Sequence, residues 1–357
     1  MKDHYYTIDT LRVVSSILVI LSHYAYKFDF ERLYFIYKYL AGFSGRIGVV
    51  IFFAISGYLA SNSLKNKNII NYFKNKIVRI EIPYLFTYLL MSAVFILLAL
   101  INNSFIFATP LSKALYLDGN SRFLFCLFPI DLNLLLYFDL IEYQFIGSWF
   151  ISTVCLLYLV SPILNFGAVK YPCITGSILL LASIIFYLYT NNLLYDSYHS
   201  FIERAPEFYI GMLWYYYKDN LIRYKKYFIF FLLAGMLCNN MFNESTWLAD
   251  KIIPLSPISM TLTLPMIFIV FFTFDKFQEI SITRYINKYS QYSYIFMLLN
   301  NVIIENFCVR LEAYKFSMIG VVLIFGIIVF STYTISKIIV EITKPLEEKL
   351  LNYKMSL

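Results

Sequence analysis

Arg12 and His23 stand eleven positions apart in the segment IDTLRVVSSILVILSHY. An ionisable side chain at membrane depth is costly, and it marks either a functional site or a structural pair. At about 100° per residue, eleven steps return to within about 20° of the starting direction. The two residues therefore share one face of a helix, roughly 16 Å apart along its axis. An unperturbed imidazole titrates near neutrality, which suits general-base work. A guanidinium is a permanent cation whose donors match carboxylates and phosphates. One helix would thus offer an anion-binding group at one level and a proton acceptor at another. Asp9, three residues before Arg12, is placed to pair with it. The residue types alone fit a plainer arrangement equally well, with Arg12 a snorkelling anchor and His23 an interfacial histidine.

The elements that must position these groups are set by composition. The chain has 357 residues, 60% apolar, 20% aromatic and only 14% charged, against about 25% charged in soluble domains. Several apolar runs reach the roughly 20 residues that span a bilayer. Ten spans are predicted, near 10–26, 43–62, 83–102, 147–166, 173–190, 206–217, 227–243, 258–274, 289–308 and 316–340. The fold class is all-α, a polytopic membrane helical bundle. Residues 1–343 form one integral domain, and 344–357 a short charged cytoplasmic tail without chemistry. The stretch 121–138 is apolar but broken by Pro129 and Asp131, and reads as re-entrant or interfacial.

The Lys and Arg residues fall mostly in the loops that would be cytoplasmic if both termini are inside, in keeping with the positive-inside rule. The basic stretch Lys65 to Arg79 reads as an amphipathic helix on the cytoplasmic surface or as a topology anchor. The net charge of +7 does not indicate nucleic acid, because the cations are dispersed between apolar runs. The five cysteines form no CxxC pair, so neither zinc nor a disulfide framework is indicated, and no metal is expected. The first apolar run lacks a basic leader and a small-residue cleavage site, and reads as a retained helix.

The order of residues adds a resemblance. The first helix is similar to that of the acyltransferase 3 family of membrane acyltransferases, whose hallmark is an Arg and a His eleven positions apart after an Asp. Further segments resemble the family in sequence order: RIGVVIFFAISGYL (46–59), NKIVRIEIPYL (75–85), SWFISTVCLLYLVSP (148–162), RAPEFYIGM (204–212) and SYIFMLLNNVI (293–303). The chain departs from the pattern at Asn300, where the family has a His, and at Val154, where an acidic residue is common.

The resemblance implies an acyl-CoA donor, most often acetyl-CoA, with no bound cofactor. The acceptor it implies is a sugar hydroxyl on a cell-surface glycan or lipid-linked precursor, at the bacterial inner membrane. His23 would be the catalytic residue, and Arg12 would contact the donor. Lys76 and Arg79 would add positive potential at the cytoplasmic mouth. Ser56 and Gly57 would permit close approach of the donor, or serve helix packing through small residues. Asp9 is too far along the helix to orient His23. Glu207 and Asp139 are candidate carboxylate partners and Arg204 and Arg46 candidate acceptor contacts, although all four also fit as interfacial charges. A glycan or lipid transporter and a polysaccharide polymerase are the competing classes. They predict internal symmetry or long outer loops in place of the Arg12–His23 pair.

Overall fold

The computed structural model describes residues 6–27, 43–102, 146–190, 199–227, 288–310 and 317–353, with isolated positions between 229 and 286. These residues are helical apart from short turns, and no strand occurs among them. The helices are α1 (Tyr6–Ala25), α2 (Phe43–Asn66), α3 (Ile69–Asn102), α4 (Ser148–Lys170), α5 (Pro172–Thr190), α6 (Phe201–Arg223), α7 (Ser293–Arg310) and α8 (Met318–Asn352). A 3₁₀ turn, Ser290–Tyr292, leads into α7.

Among the described residues, five stretches are long and apolar enough to cross a membrane: Thr7–Ala25, Ser44–Asn66, Ile69–Val94, Trp149–Lys170 and Met318–Asn352. A helix satisfies its backbone groups internally, as an apolar solvent requires. Side-chain placement agrees with that solvent. Ile174, Ile178, Leu181 and Ile185 form an exposed apolar stripe along α5, and Ile319, Leu323 and Phe330 do the same on α8. Small polar residues such as Ser15, Ser22, Ser61, Ser152 and Thr153 are buried between helices. In lipid, helices associate through close packing of small residues rather than through hydrophobic burial.

The packing centres on α2, which lies between α1 and α6. Helices α1 and α2 are antiparallel, with Gly45 against Ser22 and Gly48 against Ser15 and Val19. At the α2–α6 crossing a Cβ on Gly57 would overlap the carbonyl of Phe208, and one on Gly211 the carbonyl of Ala54. The two backbones touch there. Helix α7 packs on α1 and α8, and α8 packs on α3.

Three expectations change. The basic stretch from Lys65 to Arg79 is not a separate surface helix. It is split at Lys67–Asn68, and its second half is the start of α3, which continues through Pro83 to Asn102. Thr87 donates to the Pro83 carbonyl at 2.6 Å, one of the internal bonds of that helix. The span expected at 206–217 lies within α6, Phe201–Arg223, which bends at the non-helical Tyr217, keeps Glu203, Arg204 and Glu207 buried, and is not among the five membrane-crossing stretches. Residues 344–352, expected as part of a short charged tail, continue α8 without a break to Asn352. The expected segment 121–138 and the candidate partner Asp139 lie outside the described residues, as does nearly all of 227–243 and 258–274.

A helix of 35 residues is about 52 Å long, well beyond a hydrocarbon layer of roughly 30 Å. The last turns of α8 therefore project past that layer, as do the first turns of the 34-residue α3. Lys74 ties the two projections together, donating to the carbonyls of Leu351 at 3.2 Å and Tyr353 at 2.5 Å.

Candidate active site

Between these projecting ends opens a cavity of about 620 Å³, within the size range of small-molecule sites. Arg12, Ser56, Lys76 and Arg79 all line it. Four positions from three separate helices, singled out in the sequence as donor contacts, thus share one space. Lys67 and Lys344 add their cations, against the carboxylates of Glu347 and Glu348. The wall is net positive.

The direction of each helix orders its lining residues from mouth to depth. On α2 the order is Asn66, Asn62, Leu59, Ser56, Phe52; on α3 it is Asn75, Arg79, Pro83. On α4 the order is Tyr158, Val154, Phe150, and on α8 it is Leu351, Glu347, Lys344, Val340. Helix α7 contributes Ser293 near its start and Met297 deeper. Each of these helices ends its stripe on an apolar side chain: Phe52, Pro83, Phe150, Val340 and Met297. The cavity is polar at its mouth, cationic in its middle and apolar at its end.

The cationic middle is built by local contacts. Lys76 sets its ammonium 3.9 Å from the centroid of the Tyr158 ring and 5.7 Å from that of Tyr72, positions suited to cation–π attraction. The Tyr158 and Ser56 hydroxyls hydrogen-bond each other. Tyr72 is fixed in turn by a 2.6 Å bond between its hydroxyl and Ser161 Oγ. Arg12 pairs with Asp9 at 3.6 Å along α1, and its side chain is about one-third exposed. Ser56 faces the cavity, whereas its neighbour Gly57 faces α6. The two readings of that pair are thus divided between its members.

His23 sits at the other end of α1 and is not among the cavity-lining residues. Phe52 stands seven residues from Gly45, whose partner on α1 is Ser22. The cavity therefore stops about 10 Å short of the level of His23. Its end is closed where the rings of Phe52 and Phe150 meet edge to face, with centroids 5.7 Å apart at 69°. Beyond that contact, the charges of described residues that act on His23 are Lys27 and Glu305. These two form an ion pair bridging the end of α1 to α7.

The other expected residues lie elsewhere. Arg46 is half-buried in the first turns of α2, at the His23 end of the bundle. Arg204 and Glu207 are brought to each other, N–H to carboxylate at 2.6 Å and almost fully buried. Glu207 Oε2 has no hydrogen-bond partner among the described residues.

Sequence reasoning did not single out Phe52, Phe150, Lys344 or Glu305. One of these carried a signal, since Glu305 is an ionisable residue in an apolar run. The phenylalanines carried none, being ordinary membrane-helix composition.

A family profile described as an acyltransferase domain matches residues 5–341, nearly the whole chain. Neither a curated protein nor a solved structure matches it.

Proposed function

The chain belongs to the acyltransferase 3 family, and from that premise we propose that it moves an acyl group from cytoplasmic acyl-CoA to a sugar hydroxyl of a cell-surface or lipid-linked glycan. The observation that carries the donor half is the graded cavity. Acyl-CoA has an anionic nucleotide, an uncharged pantetheine arm and an apolar acyl tip. The order of polar mouth, cationic middle and apolar end in the cavity follows that sequence of groups. Arg12, Lys76 and Arg79 face the phosphates, with Lys67 and Lys344 adding potential at the mouth. Ser56, bonded to Tyr158, offers a hydroxyl to the arm.

His23 receives the acyl end or the acceptor. As base, it takes the proton of the sugar hydroxyl while that oxygen attacks the thioester carbonyl, and the proton passes to the departing CoA thiolate. As nucleophile, the imidazole nitrogen attacks the thioester carbonyl and CoA leaves as the thiol with the imidazole proton; the sugar oxygen then attacks the acyl carbon, the C–N bond breaks, and the hydroxyl proton returns to the imidazole. The Lys27–Glu305 pair sits where it acts electrostatically on either step. Arg46 and the Arg204–Glu207 pair are acceptor-side candidates. The setting is a bacterial inner membrane, with ten spans and both termini cytoplasmic.

The test uses purified full-length protein, radiolabelled acetyl-CoA and cell-envelope glycan. The expected result is label on the glycan with wild type and none with His23→Ala, while both bind CoA. Transfer unaffected by His23→Ala would remove that residue from the chemistry.

A further inference from the structure

The blind end of the cavity has a structure of its own. Its lining changes from cations and amides to Phe52, Val154, Phe150 and Met297, each less than a tenth exposed. The edge-to-face contact of Phe52 and Phe150 is a wall, because the Phe150 ring is held from behind. Phe150 packs at 5.0 Å on Phe53 and at 6.1 Å on Trp149, and Trp149 packs at 4.5 Å on His199. A ring backed by further rings yields less readily than an isolated side chain, since close-packed interiors resist displacement.

We propose that Phe52 and Phe150 select the acyl group, admitting a short acyl chain and rejecting long ones. The inference rests on the acyl-CoA reading of this cavity. With the nucleotide held by the cations nearest the mouth and the arm extended along the axis, the thioester and its substituent meet these two rings. Each added methylene then needs volume that the wall occupies, and overfilling a packed apolar site is unfavourable. The same contact stands between the cavity and the level of His23, so selection occurs where the acyl group must pass.

The experiment measures displacement of radiolabelled CoA from the full-length protein in detergent by unlabelled CoA, acetyl-CoA and octanoyl-CoA. CoA itself carries no acyl group and serves as the reference. In wild type, acetyl-CoA should compete as well as CoA, with octanoyl-CoA weaker by about tenfold or more. Phe150→Ala and Phe52→Ala should bring octanoyl-CoA to within about threefold of acetyl-CoA. Val154→Phe should do the reverse, weakening acetyl-CoA relative to CoA by further narrowing the end. Retained CoA binding shows that each variant is folded, and Val154→Phe carries the test if the alanine variants are not. No CoA binding by wild type would instead remove the acyl-CoA reading. If wild type binds CoA but takes octanoyl-CoA as readily as acetyl-CoA, the selector role is overturned. Folded variants that keep the wild-type order overturn it too.

Discussion

The ammonium of Lys76 lies 3.9 Å from the centre of the Tyr158 ring, on the wall of the cavity that Arg12 also lines. A cation over an aromatic face is attracted by about 1 kcal/mol, more when desolvated. The ring aims the charge while leaving its N–H groups for an anion. Lys76→Met removes the charge and keeps most of the volume, so CoA affinity should fall about tenfold, measured by displacement of labelled CoA. Tyr158→Phe keeps the ring and loses only the bond to Ser56, so its effect should stay within about threefold. Equal losses in the two variants would show that the hydroxyl, not the cation, governs binding.

Gly57 and Ser56 are adjacent in sequence and serve different purposes. A Cβ on Gly57 would overlap the Phe208 carbonyl, so Gly57→Ala must push α2 and α6 apart. Overpacking of this kind costs about 3 kcal/mol where backbone opposes backbone. The expected outcome is a lower thermal midpoint and poorer recovery of monodisperse protein. Ser56→Ala should leave the midpoint within about 1 kcal/mol of wild type and weaken CoA two- to fivefold. A thermally unchanged Gly57→Ala protein would contradict the close approach of the two helices.

This division also shows what the sequence could and could not say. Apolar run length located most of the described helices, because in lipid the constraint on a span is a simple length of apolar chain. Arg12, Lys76 and Arg79 were legible because charge near an apolar run is rare and needs a reason. Their grouping with Ser56 came only from the family resemblance, since it depends on how α1, α2 and α3 pack. Consecutive residues on a helix point about 100° apart, so Ser56–Gly57 could not be resolved into a cavity residue and a packing residue without the neighbours. Phe52 and Phe150 were hidden for another reason, since an aromatic side chain that lines a cavity has the same composition signal as one that fills a core. The family resemblance supplied order to segments that composition alone leaves equivalent.

The end of α8 should matter to donor binding. Lys344, Glu347 and Leu351 line the mouth, and Lys74 of α3 donates to the carbonyls of Leu351 and Tyr353. Deleting residues 344–357 removes that wall and both acceptors, leaving the membrane-embedded part of α8 in place. CoA affinity should drop about tenfold or more, with a thermal midpoint lowered by only a few degrees. Lys74→Met tests the clamp alone and should produce a smaller loss in the same direction. Full affinity in the truncated protein would return this segment to the role of a tail.

At the opposite end, Lys27 and Glu305 join α1 to α7 beside His23. Their side chains are 26% and 47% exposed, so as a structural pair they contribute below about 1 kcal/mol. Their effect on the reaction can be larger, because either route through His23 places positive charge on the imidazole. Glu305→Gln leaves the Lys27 ammonium unopposed next to that charge, which disfavours it. Turnover at saturating acetyl-CoA should fall about fivefold, the equivalent of roughly 1 kcal/mol, with CoA affinity and thermal midpoint unchanged. Adding Lys27→Met removes the cation as well, and the double variant should regain most of the lost turnover. That recovery separates an electrostatic role from a packing one, because two independent structural losses would add. A double variant slower than either single change would assign the pair to joining the helices, with no part in the chemistry at His23.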